Sequence, residues 1–321
     1  MTQNKVRRPP KLILDDFPKN CRKHVKNDFS QKCPKSIFQH VGPYSKASRH
    51  MFRPNWANEK KIVPHITTRI QENLPHKFKN NLNIINSADD FLKLDFILSL
   101  GGDGTMLSAA RAIGDRGIPI MGIHLGELGF LAEVTIDQMF NRLNLVAEGQ
   151  YLTQSRMVLQ ASIDNKEISK TFYALNDFVI DRGKSQRILK MNLFSNGQFV
   201  SEYKADGLVF ATPTGSTAYS LSAGGPIVMP KLRAIVVSPL SPHTLTLRPI
   251  VVPDDQLLEI KFPDHEKVAF AVDGQVNEYL DPDTKIIIQK SPYDIRMISF
   301  KDSNYFQTLM LKMGWGKRGK N

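Results

Sequence analysis

The chain has 321 residues, 41% of them hydrophobic, with only 2 cysteines and a formal net charge of +12. That length suits two domains of ordinary size, and the apolar runs fall short of the roughly 20 residues a membrane-spanning helix needs. Two cysteines exclude a disulfide framework and fit a reducing, cytoplasmic setting, while the basic start has no apolar core and carries Asp15 and Asp16, which argues against a secretory signal or a transit peptide.

The charge is unevenly distributed. Residues 1–62 hold 15 Lys and Arg against 4 Asp and Glu, whereas the remainder holds 28 against 27. A nearly neutral body lacks the broad basic footprint of a nucleic-acid-binding protein. Residues 1–58 contain six prolines and no sustained period, so they are expected to form a basic, poorly structured extension. On that reading, removing residues 1–55 should leave activity within a few-fold of the full chain. Cys21, His24, Cys33 and His40 are all capable of binding zinc, but their spacing fits no familiar finger, and they read as free thiols and isolated histidines.

From Lys60 the pattern becomes regular. KKIV reads as a short strand, ITTRIQENL as a helix and NLNIIN as another strand. An apolar strand at Phe96–Leu100 then runs through a glycine turn into a helix at Thr105–Ile113, and IPIMGIHLG gives a further strand. Strands alternating with helices predict a parallel sheet, here an α/β domain over residues 59–130. Beyond it, residues 131–299 consist of short, often alternating segments bounded by Gly, Asn, Asp and Pro. They predict a β-rich domain, with Asn196-Gly197 as a hairpin turn. Phe306, Leu309, Met310 and Met313 recur at helical spacing, so residues 300–321 are expected to close the chain as a helical segment packed back on the α/β domain.

Two stretches carry chemistry. Gly101-Gly102-Asp103-Gly104-Thr105 joins a strand to a helix, where glycine lets backbone amides approach phosphate oxygens and the helix N-terminus favours anions. A carboxylate repels phosphate, so Asp103 requires another task. It can accept a hydroxyl proton or hold a divalent cation that accompanies a triphosphate, or it can simply cap the helix or shape the turn. Farther on, Ala205-Asp206-Gly207 leads through LVFATP into TGSTAYSLSAGGP. So many small and hydroxyl residues build no core. They can line a loop that hydrogen-bonds a polar ligand, with Tyr219 offering a face for a base.

GGDGT, GIHLGELGFLAEV, LNDFVIDRG, YKADGLVFATPTGSTAYSLSAGGPIV, SPHTLTLRPIVVP, DGQ and the closing FQTLMLKMGW together resemble the NAD kinase family, in its order and approximate spacing, from about Lys60 to Trp315. The resemblance implies an α/β domain with a parallel sheet followed by a β-rich NAD-binding domain. It also implies transfer of the γ-phosphoryl group of ATP, or of polyphosphate, to the 2′-hydroxyl of the NAD adenosine ribose, with Mg²⁺ or another divalent cation accompanying ATP. Asp103 would accept the hydroxyl proton, with Gly102, Gly104 and Thr105 beside it. Asn176 and Asp177 match the pair that holds NAD ribose and adenine groups, and Arg187 falls at the spacing of a ligand-binding basic residue. Lys204 and Asp206 match the next motif. Thr217, Ala218, Tyr219, Ser220, Leu221 and Ser222 match the adenine-side loop, and Gln275 ends the DGQ motif. Family members form homodimers or homotetramers. The sequence departs from the family where KKIVPH stands in place of a longer first strand, and His124 stands where bacterial members usually carry Asn. A lipid kinase of the diacylglycerol type shares the glycine turn but not the TPTGSTAYSLSAGGP run, and a silent NADP(H)-binding protein would be expected to have lost GGDGT or the Asn-Asp pair.

Overall fold

The computed structural model describes residues 11–15, 54–67, 70–71, 82–126, 128–164, 169–185, 187–244, 246–263, 267–281 and 283–314. The zinc-capable residues 21, 24, 33 and 40 and most of the helix expected over residues 66–74 lie outside them. The chain divides into two compact units, one of residues 1–153 with 297–321 and the other of residues 154–296.

The first unit is built on β1 (Lys11–Asp15), α1 (Pro54–Glu59), β2 (Val63–Thr67), β3 (Asn83–Ile85), β4 (Phe96–Leu100), α2 (Asp103–Ile113), β5 (Ile120–His124), β6 (Val134–Thr135) and α3 (Met139–Ala147). Its strands lie in the order β3-β2-β1-β4-β5, all parallel, with β6 beside β5. All five residues of both β4 and β5 are buried. Continuous apolar runs of this kind suit parallel strands covered on both faces.

Two expectations change here. Residues 11–15, read as part of a poorly structured extension, form a strand paired on both sides, Leu12 opposite Pro64 of β2 and Phe96 of β4. Among the described residues the strand around KKIVPH is thus the second and not a shortened first one. Prolines and charges flank KLILD closely, and five residues give too little periodicity to outweigh them. The α/β unit also continues past residue 130. Val134, Met139, Leu143 and Val146 share a buried cluster with Leu98, Leu100, Met121 and Ile123, so β6 and α3 complete this core.

The second unit contains most of β7 (Leu152–Asp164), β8 (Ser169–Ala174), β9 (Asp177–Asp181), β10 (Leu189–Ser195), β11 (Gln198–Ala205), β12 (Gly207–Ala211), the four-residue α4 (Tyr219–Ser222), β13 (Ala234–Leu240), β14 (Ile250–Pro253), β15 (Leu258–Lys261), β16 (Val268–Val272), β17 (Val276–Leu280) and most of β18 (Lys285–Ser299). Six strands form an antiparallel sheet in the order β14-β13-β12-β9-β16-β17. Strands β11, β10, β15 and β18 pair antiparallel in that order, and β7 pairs with both β18 and β8. Inward side chains of both sets, among them Leu159, Phe178, Met191, Tyr203, Phe210 and Phe270, fill one core. The expected turn at Asn196-Gly197 joins β10 to β11, both residues having positive φ. The end of β18, from Met297, belongs to the first unit, where Met297 pairs with Ile120. The same unit takes the closing helix α5 (Tyr305–Met313), capped by Asn304, whose side chain accepts from the Phe306 N–H.

Candidate active site

In the first unit the strand order reverses between β1 and β4, and ligands in open α/β sheets bind outside the carboxyl ends of strands at such a switch point. GGDGT occupies that end of β4. Gly102 is the N-cap of α2 and Asp103 its first residue. Asp103 therefore does not cap the helix. Its carboxylate crosses to the loop after β5, where Oδ2 accepts the Phe130 N–H at 2.9 Å and Oδ1 accepts those of Leu131 at 3.0 Å and Ala132 at 3.3 Å. Gly129 makes this possible, because a Cβ there would run into the Asp103 carboxylate. A carboxylate offers about four acceptor positions, so three are taken and about one remains. Gly102 and Gly104 are exposed beside it. A Cβ on Gly101 would meet the Thr105 hydroxyl, which places the Thr105 side chain against the turn itself. His124, at the end of β5, turns its Nδ1 to the Gly126 carbonyl at 2.9 Å and so supports the start of the same loop.

In the second unit Asn176 immediately precedes β9 and Asp177 opens it, and a residue the sequence reading passed over holds them. Asp273, the first residue of DGQ, lies in the β16–β17 turn with φ at 49°. Its Oδ1 accepts the N–H groups of Asn176 at 2.7 Å and Asp177 at 3.2 Å, and its Oδ2 that of Leu175 at 3.2 Å. The signal was in the DGQ motif, but which residue of the motif acts depends on a partner nearly a hundred residues away. Gln275 follows in the same turn, its N–H on the Val272 carbonyl. Asp177 is only 3% exposed. Burial and, second, the negative charge of Asp273 push its carboxyl up to about 7, against the opposing effect of the Tyr219 N–H that it accepts.

The hydroxyl-rich run divides into scaffold and surface. Thr212 donates to the Leu175 carbonyl at 2.6 Å and accepts the Gly215 N–H at 2.9 Å, tying the run to the segment before Asn176. Gly215 itself lies so close that a Cβ would meet the Asn176 backbone. Ser216 donates to the Pro213 carbonyl and accepts the Val228 N–H. Ser220, expected to face a ligand, is fully buried with its hydroxyl on that of Ser238 at 3.0 Å. The reason is local: in a four-residue helix, Tyr219 and Ser222 face outward and Ser220 inward. Thr217 donates to the Thr214 carbonyl, and Ala218 and Leu221 are partly buried. Tyr219, 48% exposed, and Ser222 line an open pocket of about 330 Å³ together with Asp181, Arg182, Asp206 and Leu240.

Two expected basic residues do not line this pocket. Lys204 is exposed on β11 and pairs with Glu202 at 3.1 Å. Arg187 is exposed in the β9–β10 connection, its own N–H on the Ser185 hydroxyl. The arginine in the pocket is Arg182, whose Nε lies 3.0 Å from Oδ1 of Asp206. Among the described residues no group of three or more His, Cys, Asp or Glu side chains is arranged to hold a metal ion.

Comparison with known proteins bears on both units. A family model described as the ATP-NAD kinase N-terminal domain matches residues 19–151, and one described as the ATP-NAD kinase C-terminal domain matches residues 175–300. The NAD kinase of Geobacter metallireducens is 38% identical over 265 residues, covering 82% of this chain and 92% of the relative. That of Geotalea daltonii is 42% identical over 227 residues, covering 70% and 80%. Among solved structures, yeast NADH kinase complexed with NADH matches with a TM-score of 0.77 at 26% identity, covering 87% of each chain. An NAD kinase from Archaeoglobus fulgidus in complex with ATP matches with a TM-score of 0.61 at 27% identity, covering 78% of this chain and 98% of the other.

Proposed function

The chain belongs to the ATP-NAD kinase family, and from that premise we propose how its own residues divide the work of phosphorylating NAD. Asp103 receives the proton of the adenosine-ribose 2′-hydroxyl as that oxygen attacks the γ-phosphorus of ATP, and ADP leaves. The observation that carries this role is the carboxylate held by three loop amides with one acceptor position open. Amides fix its direction, and a fixed base loses little to reorganisation when the hydroxyl arrives. Gly102, Gly104 and Thr105 lie on the phosphate side, where the exposed glycines and the start of α2 suit an anion. Asn176 and Asp177 hold the nucleoside, and Tyr219 faces a base.

A divalent cation fits this chain as the companion of the triphosphate. Mg²⁺ usually takes one or two carboxylates plus substrate phosphates and waters, and the described residues present no cage of their own. It would offset charge on the transferring phosphate. Cytoplasmic placement rests on the cysteine content, and among the described residues no helix is long and apolar enough to cross a membrane. We also read the enzyme as a homodimer or homotetramer, from the family resemblance; a monomer in sedimentation velocity at micromolar concentration would refute this.

A panel of donors and acceptors tests the reading as a whole. ATP and polyphosphate are each offered with NAD, NADH or diacylglycerol, and NADP is read by a coupled NADP-specific dehydrogenase. Formation of NADP from ATP and NAD is expected, and phosphorylation of diacylglycerol alone would favour the lipid-kinase alternative. Tyr219 gives a sharper check. Tyr219→Ala leaves the backbone N–H to Asp177 in place but removes the ring, and base stacking on an aromatic is worth about 1–3 kcal/mol. NAD affinity should fall accordingly, with Tyr219→Phe close to wild type. Unchanged affinity in the alanine variant would remove the ring from the nucleotide site.

A further inference from the structure

Two aspartates, Asp177 at the start of β9 and Asp273 in the β16–β17 turn, are unequally provided for. Asp273 accepts three backbone N–H groups, from Leu175, Asn176 and Asp177. Asp177 sits beside it, nearly fully buried, and is offered the single N–H of Tyr219. Two neighbouring carboxyl groups in a poorly hydrated site do not both ionise readily, and the one with more donors keeps the charge. Among the described residues no cation lowers the Asp177 carboxyl. On the β12 side Ala211 pairs with Asp177 and Thr212 donates its N–H to the Asn176 carbonyl, both uncharged. The short helix α4 presents Tyr219, and the β16–β17 turn presents Asp273.

We propose that Asp273 is a positioning residue for the nucleoside, and that it and Asp177 share one negative charge in the free protein, so that NAD binding at Asp177 releases a proton. The proposal rests on the reading that Asp177 holds the nucleoside. Ribose hydroxyls and the adenine amino group are donors, so the form of Asp177 that receives them best is the carboxylate. Asp273 acts through the backbone it anchors and the charge it keeps, and it touches no substrate.

The sign follows from the direction of the shift. With its carboxyl held at about 7, Asp177 is mostly protonated below that pH in the free protein. Binding must then expel the proton, so apparent NAD affinity falls as pH falls, approaching tenfold per pH unit well below 7. Above 7 the carboxylate is already formed and affinity levels off.

Calorimetric titration of the full chain with NAD, in phosphate and in Tris, reads the number of protons exchanged. Release is expected to be about half a proton per NAD at pH 7, close to one at pH 6 and little at pH 8. Asp177→Asn should abolish it. Asp273→Asn keeps one acceptor for the Asn176 and Asp177 N–H groups, turns a donor toward that of Leu175 and removes the charge, so the release profile should move to lower pH, remaining above the ordinary carboxylate range because burial persists. A purely structural Asp273 would weaken binding equally at every pH and leave the wild-type release profile in place, which would overturn its part of the proposal. NAD binding without any proton exchange between pH 6 and 8 would overturn the shared charge while leaving the kinase reading intact. Full NAD affinity in Asp177→Asn at pH 8 would instead overturn the role of Asp177 on which the proposal rests.

Discussion

Asp103→Asn should lower kcat by roughly 10²–10⁴-fold, the usual cost of losing a general base, while NAD still binds with near wild-type affinity. The amide keeps one acceptor for the Leu131 and Ala132 N–H groups but turns a donor toward that of Phe130. The loop will therefore relax somewhat, and thermal unfolding must be measured alongside the kinetics. Gly129→Ala is the companion variant. It leaves the chemistry of the carboxylate unchanged, yet its methyl enters the space the Asp103 carboxylate occupies, so kcat should fall through misdirection of the base. Asn176→Ala behaves differently in kind. On the proposed role of Asn176 it loses a hydrogen bond to the nucleoside and should raise KM for NAD, with a smaller fall in kcat because a looser ribose points its hydroxyl less accurately. Near wild-type turnover in a folded Asp103→Asn enzyme would return Asp103 to the role of a loop anchor.

Deleting residues 1–16 should abolish folding of the first unit, and NADP formation with it, in place of the few-fold change that the sequence led us to expect for loss of residues 1–55. Strand β1 lies between β2 and β4, pairing through residues 11–14 with the first and 12–15 with the second. Each backbone hydrogen bond lost is worth about 0.5–1.5 kcal/mol net, and a five-residue strand bonded on both sides makes enough of them to remove much of a typical 5–15 kcal/mol stability. The proposed site suffers directly, since β4 leads into GGDGT and the strand order reverses at the β1–β4 boundary, the kind of switch point at which open α/β sheets bind ligands. Deleting residues 1–8 spares the strand and should leave thermal stability and specific activity unchanged. The comparison reads both by circular dichroism and by the coupled assay. A folded, active protein lacking residues 1–16 would show that β2 and β4 close on each other without β1.

The sequence alone determined the elements whose signal is local, and those motifs whose order and spacing resemble one family. The apolar run Phe96–Leu100, the glycine turn after it and the amphipathic helix to Ile113 are short-range features, and the structure has them within two residues of their expected bounds. The family resemblance gave the activity, which the family models and relatives support. Tertiary structure decided what depends on partners distant in the chain. Five residues between prolines and charges become a central strand only because two other strands accept them. Asp103 resembles a helix cap until Gly129 and the three following amides come to it across the sheet. The hydroxyls of the TGSTAYSLS run are alike as letters, but burial assigns Ser216 and Ser220 to holding the loop and leaves Tyr219 and Ser222 to face the pocket. Periodicity records which face of an element is apolar, and it carries no information about which distant amide or carboxylate will meet a given polar side chain. For that reason Asp273 and Arg182 emerged only from the fold.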